Sequence, residues 1–325
     1  MFKEWRQVCG IDVLTADSAE KSRISEAFGR EAAVAARAVH RQILGYRETP
    51  LVRLHALAKQ LGVKGIYVKD ESKRFSLNAF KGLGGSYAMF RILCERLGLD
   101  PAVTTLEELK EEKNQREIRK AVFVTATDGN HGRGVSWAGG IFGCQVHVYM
   151  PAGSVEVRAE AIRRVGPAEV TITDKNYDDT VKFAMEQSRE HGWYLIQDTA
   201  WDGYEEIPAW IIQGYLTMAS EALEQMEALK IRPTHVFLQA GVGAMAGGVL
   251  GYLASCFGDH KPVTTIVEPE AANCIYRSVR ANDGTAHSVE GSPVTIMAGL
   301  NCGTPCKITW PVLRDYAEFY LSCPD

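Results

Sequence analysis

Between residues 121 and 268 the chain alternates short apolar runs with helix-length stretches, and this alternation constrains its folding more than any other feature. The segments "AVFVTAT" (121–127), "QVHVYM" (145–150), "AEVTIT" (168–173) and "WYLIQ" (193–197) have strand length and are rich in β-branched and aromatic residues. Between them lie "GNHGRGVSWAGGIFG", "SVEVRAEAIRRVG" and "DDTVKFAMEQSREHG", all of helical composition. The pattern returns in "THVFLQA" (234–240) and "VTTIVE" (263–268), with one helical stretch between. Strands that are apolar throughout are buried on both faces, and helical crossovers make their sheets parallel. The fold class that follows is α/β, with two domains, each a largely parallel sheet covered by helices. A smaller domain is expected at residues 88–205, nested in a larger one made of 1–87 and 206–325.

Ahead of this region, residues 24–45 read as a helix, and Pro50 interrupts any continuation. "HALAKQLGV" reads as a short helix and "GIYVKDE" (65–71) as a strand. A further helix is expected from about Ser86, and a charged one within 102–120, where Thr105 and Glu108 have the spacing of a capping box.

Composition narrows the function classes. With 46% hydrophobic and 23% charged residues and a net charge of -4, the chain has a globular make-up and no basic run to attract a nucleic acid. The start, "MFKEWRQVCGIDVL", lacks the apolar core of a signal peptide, and the apolar stretch 244–257 is too short to span a bilayer. The expectation is a soluble, cytoplasmic protein with no membrane partner. The 8 cysteines are scattered, which points to reduced thiols. Cys302 and Cys306 have no second close pair, so no metal is expected, while a redox pairing among Cys274, Cys302 and Cys306 stays open.

Two stretches carry chemistry. "THVFLQAGVGAMAGGVLGYLASCF" reads as a strand, a turn holding Gly241, Gly243, Gly247 and Gly248, and a helix. Bare backbone amides at a helix start favour an anion, typically a phosphate. A tight turn with close helix–sheet packing explains the same glycines without a ligand. The run Gly241 to Ala246 also fits G-x-G-x-x-A, with Glu268 as a ribose-binding acid, which keeps a dinucleotide oxidoreductase in play. The second stretch is "RFSLNAFKGLGGSYA" (74–88), where Lys81 stands between Phe80 and a glycine run. Alone, it reads as a solvated surface lysine. A lysine amine held in a tight, partly apolar site loses its proton more readily and can form a Schiff base. A phosphate loop together with such a lysine points to pyridoxal 5'-phosphate, which carries one phosphate and one aldehyde.

These motifs resemble a known family. "ETPLVRL", "YVKDES" and "NAFKGLGG", followed by "TDGNHGRGVSWAG" (127–139), are similar to the fold-type II pyridoxal phosphate enzymes, the tryptophan synthase β and threonine dehydratase group. Within that group "KDESKRFSLNAFK", "TDGNHGRG", "QDTAWDGYEEIP" (197–208) and "TIMAGLNCGTP" (295–305) resemble the diaminopropionate ammonia-lyase family. The resemblance covers nearly the whole chain. It implies that Lys81 holds the cofactor covalently, that Phe80 lies beside it, and that Asn130 hydrogen-bonds its phenolic oxygen. The amides of Gly241, Val242, Gly243 and Ala244 would hold the phosphate. Asp128 and Asp198 would be catalytic, taking a proton from carbon or binding a second ammonium of the substrate. Asp128 stands where serine and threonine dehydratases carry a small or hydroxylated residue. Each aspartate alone reads as a cap or turn residue at a strand end. His131 and His147 read as structural.

The implied activity is α,β-elimination of 2,3-diaminopropionate, D, L or both, to pyruvate and two ammonia molecules, by a homodimer. The alternatives are a serine or threonine dehydratase-like lyase and an inactive cofactor-binding homologue. Members of the group continue past "RDYAEFYLSCPD" with a serine- and glycine-containing segment whose hydroxyl meets the pyridine nitrogen. No equivalent is found here. The expected large domain therefore lacks its C-terminal part, with strand edges left uncovered.

Overall fold

A computed structural model describes residues 2–16, 21–291 and 294–325. In chain order the elements begin with β1 (Phe2–Val8), β2 (Ile11–Ala16), α1 (Arg30–Arg41), β3 (Leu51–Arg53), α2 (His55–Gln60), β4 (Tyr67–Lys69) and α3 (Lys81–Leu97). Then come α4 (Leu106–Lys110), α5 (Glu112–Ile118), β5 (Val122–Ala126), α6 (Asn130–Phe142), β6 (Gln145–Met150), α7 (Glu156–Arg163), β7 (Ala168–Ile172), α8 (Tyr177–His191) and β8 (Tyr194–Leu195). The last are α9 (Glu206–Ala228), β9 (His235–Gln239), α10 (Ala244–Phe257), β10 (Val263–Pro269), α11 (Cys274–Ala281), α12 (Trp310–Tyr316) and β11 (Phe319–Cys323).

By density of internal contact the chain separates into two compact units. One contains the residues up to Ala33, Gln197–Leu216 and Pro233–Asp325; the other contains Val34–Ile196 and Thr217–Arg232. These bounds differ from the sequence division at 88 and 205. Residues 34–87 belong with the four-stranded sheet, because α3 begins there and packs on α6.

The first unit holds the sheet β1-β2-β11-β10-β9. Its β9, β10 and β11 are parallel, the first two as their apolar runs predict, with Ile266 opposite Leu238 on one side and Tyr320 on the other. Both β11 against β2 and β2 against β1 are antiparallel, so this sheet is mixed. Leu14, Ile266 and Tyr320 are fully buried at its centre.

The second unit holds the sheet β7-β6-β5-β8, parallel throughout, and a small antiparallel ribbon of β3 and β4. The Thr105 hydroxyl accepts from the Glu108 amide at 3.1 Å and caps α4, as its spacing predicts. The helix expected from about Ser86 begins five residues earlier, at Lys81. Its glycines are helical because another backbone passes close by. A side chain at Gly134 of α6 would lie 2.9 Å from the carbonyl carbon of Lys81 and 2.9 Å from the Gly82 nitrogen.

A buried charge network underlies this unit. The Arg74 guanidinium, wholly inaccessible, donates to both oxygens of Glu71 at 2.9 and 2.8 Å and to both oxygens of Glu221 at 2.9 and 2.7 Å. Glu221 also meets Lys69 at 2.7 Å and accepts from the Tyr46 hydroxyl at 2.8 Å. Burial alone would raise the Glu221 carboxyl, but Arg74 and Lys69 bring it down to about 2. Each charge has partners, so the desolvation cost is offset only while all are present. Replacing Glu221 with alanine leaves two buried cations without their shared counter-ion. The expected loss is roughly 3–5 kcal/mol of stability, measured by urea denaturation, whereas Lys182→Ala on the exposed face of α8 leaves the midpoint unchanged.

Candidate functional site

Each unit carries its own group of site residues. In the second unit, Lys81 is the first residue of α3 and is half-buried, with its Nζ 5.4 Å from the centroid of the Phe80 ring. Phe80, also half-buried, occupies the position before the helix. The loop leading to them is unusual. Phe75, Ser76 and Asn78 all have left-handed backbone, with φ of 49, 59 and 53°. Non-glycine residues avoid this region unless tertiary contacts hold them there. Here the Phe75 ring packs against Trp137, tilted by 33° with centroids 4.4 Å apart, and Arg74 is fixed by the charge network.

Asp128 and Asn130 flank the start of α6, directly after β5. Asn130 is the first residue of the helix and is exposed; Asp128 is half-buried, and its carbonyl accepts from Arg158 at 3.3 Å. The Thr127 hydroxyl accepts from the Gly129 and Gly132 amides at 2.9 and 3.2 Å, which sets the entry to the helix. Strand, cap and helix thus place Asp128 and Asn130 at the C-terminal end of a parallel strand, where α/β sheets bind ligands. Lys81 and this segment share one unit and are joined through the Gly134 contact.

The first turn of α3 is also pinned. His40 is fully buried, and burial pushes it down to about 3, so its ring is neutral. Its Nε2 lies 3.0 Å from the Leu83 carbonyl, which can only accept, so Nε2 carries the proton. Nδ1 then accepts from the Thr217 hydroxyl at 2.7 Å. His131 places its Nε2 2.8 Å from the Ile196 carbonyl, and His147 stacks on Trp193 at 4.1 Å.

In the first unit the glycine loop joins β9 to α10. Gly243 has φ of 86°, and a side chain there would lie 2.6 Å from Leu313. The helix ladder starts with the Gly247 amide on the Gly243 carbonyl at 2.8 Å, so the amides before it have no partner within the helix. Bare amides at a helix start suit an anion. Gly247 and Gly248, expected in the turn, lie inside α10, where they let Thr309 and Ile212 pack closely. Asp198 is buried in the loop after Gln197, whose amide donates to the Tyr204 hydroxyl at 2.8 Å. Burial pushes Tyr204 up, and the charge of Asp198 adds to that rise. The segment at 306–307 braces both parts of this unit: the Cys306 amide donates to the Val242 carbonyl at 2.6 Å and the Lys307 amide to the Ala200 carbonyl at 3.3 Å. All eight cysteines are free thiols.

Glu268 is not a ribose acid. It is fully buried at the end of β10 and accepts from the Ile275 and Tyr276 amides at 2.9 and 2.6 Å, capping α11. Burial pushes it up to about 8, against the pull of those amides. The folded chain therefore holds this proton to higher pH than the unfolded chain, whose carboxyl titrates near 4.5. Its contribution to stability is whole below that value and is lost as pH rises through about 8. Glu268→Gln is expected to flatten the fall in thermal midpoint across this window, as read by melting at stepped pH.

Sequence reasoning did not reach Arg74, Glu221 or His40, since nothing marks a polar group as buried until its partners from distant segments are in place.

Comparison with known proteins follows this geometry. Residues 43–325 match the family described as pyridoxal-phosphate dependent enzyme. A diaminopropionate ammonia-lyase of Escherichia coli (strain K12) is 51% identical over 301 residues, covering 93% of this chain and 74% of the relative. The diaminopropionate ammonia-lyase of Salmonella typhimurium (strain LT2) is 50% identical over 289 residues, covering 89% and 71%. The crystal structure of the Escherichia coli diaminopropionate ammonia-lyase in complex with an aminoacrylate-PLP azomethine reaction intermediate superimposes with a TM-score of 0.84 at 48% identity, over 97% of this chain and 76% of that one.

Proposed function

Because this chain belongs to the pyridoxal-phosphate-dependent enzymes, in the diaminopropionate ammonia-lyase family, we propose that it eliminates ammonia from 2,3-diaminopropionate and, with one water taken up, yields pyruvate and two ammonia molecules. The observation that carries the reading is the close main-chain approach of Gly134 to Lys81, which holds the backbone that bears the candidate amine against the helix that begins at Asn130. Dinucleotide chemistry loses its support: the proposed ribose acid, Glu268, is committed to the α11 amides.

The residues present fit pyridoxal phosphate. The bare backbone at Gly243, where no side chain has room, and the amides at the start of α10 suit a phosphate dianion. Lys81 offers the amine for the aldehyde. Gly241, Val242, Gly243 and Ala244 would hold the phosphate, Asn130 would donate to the phenolic oxygen, and Phe80 would lie along the ring. When bound, the cofactor supplies an electron sink for charge developing at the substrate Cα.

The chain's own groups then move the protons. Lys81 Nζ takes the Cα proton of the L isomer, and the Asp128 carboxylate takes that of the D isomer. Asp198 receives the substrate's second ammonium and assists its departure as ammonia. A diamine needs such a carboxylate; a hydroxyamino acid does not, which sets this reading above a dehydratase. The proposal extends to a homodimer acting in the cytoplasm.

The test is pyruvate release from each diaminopropionate isomer, with serine and threonine alongside. Lys81→Ala is expected to lose both the visible cofactor band and the borohydride-trapped adduct, and with them all turnover. Asp128→Asn is expected to slow the D isomer by about 100-fold or more while sparing the L isomer. Equal rates on the two isomers in that variant remove Asp128 from its role.

A further inference from the structure

Lys81 and Asn130 are asked to meet neighbouring substituents of one small ring, the aldehyde and the phenolic oxygen. Their separation therefore has to be fixed. They sit at the first residues of two different helices, each entered through a loop, and loops are the mobile parts of α/β units. Three residues of α6 beyond Asn130 address Lys81 or the loop ahead of it. The Arg133 guanidinium donates through Nη1 to the Leu77 carbonyl at 3.0 Å. Gly134 brings its backbone against Lys81 and Gly82. Trp137, one turn beyond Arg133, packs its ring against Phe75 and also against Gly82, 3.3 Å from the position a side chain there would take.

Leu77 is the telling acceptor. It stands between Ser76 and Asn78, both left-handed, so its carbonyl lies at the centre of the strained stretch. Glycine packing and ring contact limit how closely the loop and α6 approach, but neither fixes the orientation of that peptide. A hydrogen bond from a planar guanidinium does. Arg74 holds the chain three residues before Leu77, and His40 holds it six residues after, so Arg133 acts where those two braces leave off.

We propose that Arg133 is a positioning residue which, through the Leu77 carbonyl, sets Lys81 at its working distance from Asn130. The inference rests on the cofactor reading above. It does not place Arg133 in contact with cofactor or substrate. Removing its donors lets the peptide at Leu77 relax, the loop shift and the lysine amine drift from the phenolic oxygen, with the helix pair still assembled.

The experiment compares wild type with Arg133→Met, which keeps the aliphatic stem, and Arg133→Lys, which keeps one donor. In the cofactor-free chains, hydrogen exchange of the peptide spanning 77–82 is expected to be about tenfold faster in Arg133→Met. In the loaded chains the pH midpoint of the visible cofactor band is expected to move by ~1 unit. The value of kcat should fall about 10- to 100-fold, with KM within twofold and the melting temperature close to wild type. Arg133→Lys should recover part of each change. Wild-type exchange, band midpoint and kcat in Arg133→Met overturn the proposal. If that variant does not fold, Arg133→Gln is measured the same way, and wild-type values there overturn it equally. Failure of the wild-type chain to trap cofactor on Lys81 with borohydride sinks the cofactor reading and this inference together; trapping with unchanged variants sinks this inference alone.

Discussion

The lysine's place is decided by a backbone-to-backbone contact. Helix α6 passes α3 so closely at Gly134 that a single added carbon would stand 2.9 Å from two main-chain atoms of its neighbour. Gly85 repeats the theme, with the Gly134 carbonyl carbon 3.4 Å from where its side chain would be. Glycine inside a helix costs about 0.5–1 kcal/mol each, and both helices carry several. What offsets that cost is burial: Leu83, Tyr87, Met89, Phe90 and Leu93 of α3 are all inaccessible or nearly so. The helix has given up local propensity for proximity, and the proximity serves the residue at its head.

The same unit shows how strain and charge support one another. A loop with three left-handed non-glycine residues is not stable by itself. It persists because it begins at a guanidinium held by two carboxylates and ends in a helix whose first turn is tied to a neutral imidazole. Neither anchor titrates near neutral pH, since Glu221 lies near 2 and His40 near 3. This scaffold therefore stays electrically constant around neutral pH.

Much of this was legible in the residues. The parallel strands β5, β6, β7, β9 and β10 were announced by apolar runs of the right length, because a strand buried on both faces has no reason to alternate. The glycine turn before α10 was equally plain. The start of α3 was not: glycines read as helix breakers until the helix that needs them close is known. The hairpin β1–β2 and strand β11 escaped notice because β2 is held in the sheet by β11, a pairing that joins residues near 14 to residues near 320 and leaves no local mark. Of the site, the residues expected to touch cofactor stood out as motifs, whereas Arg74, Glu221 and His40 did not. A polar residue looks solvated until the fold surrounds it.

The network around Glu221 has a consequence for how such a sequence can drift. Its carboxylate is shared by Arg74 and Lys69, and by the hydroxyl of Tyr46, drawn from three separate stretches of chain. Losing any one of them strands the others in a medium that tolerates no unmatched charge, yet exchanging the whole set for apolar residues of equal volume need not cost anything. Substitutions here are therefore strongly epistatic. Lineages descending from this chain can leave the arrangement only in concert, and are far more readily held in it one residue at a time.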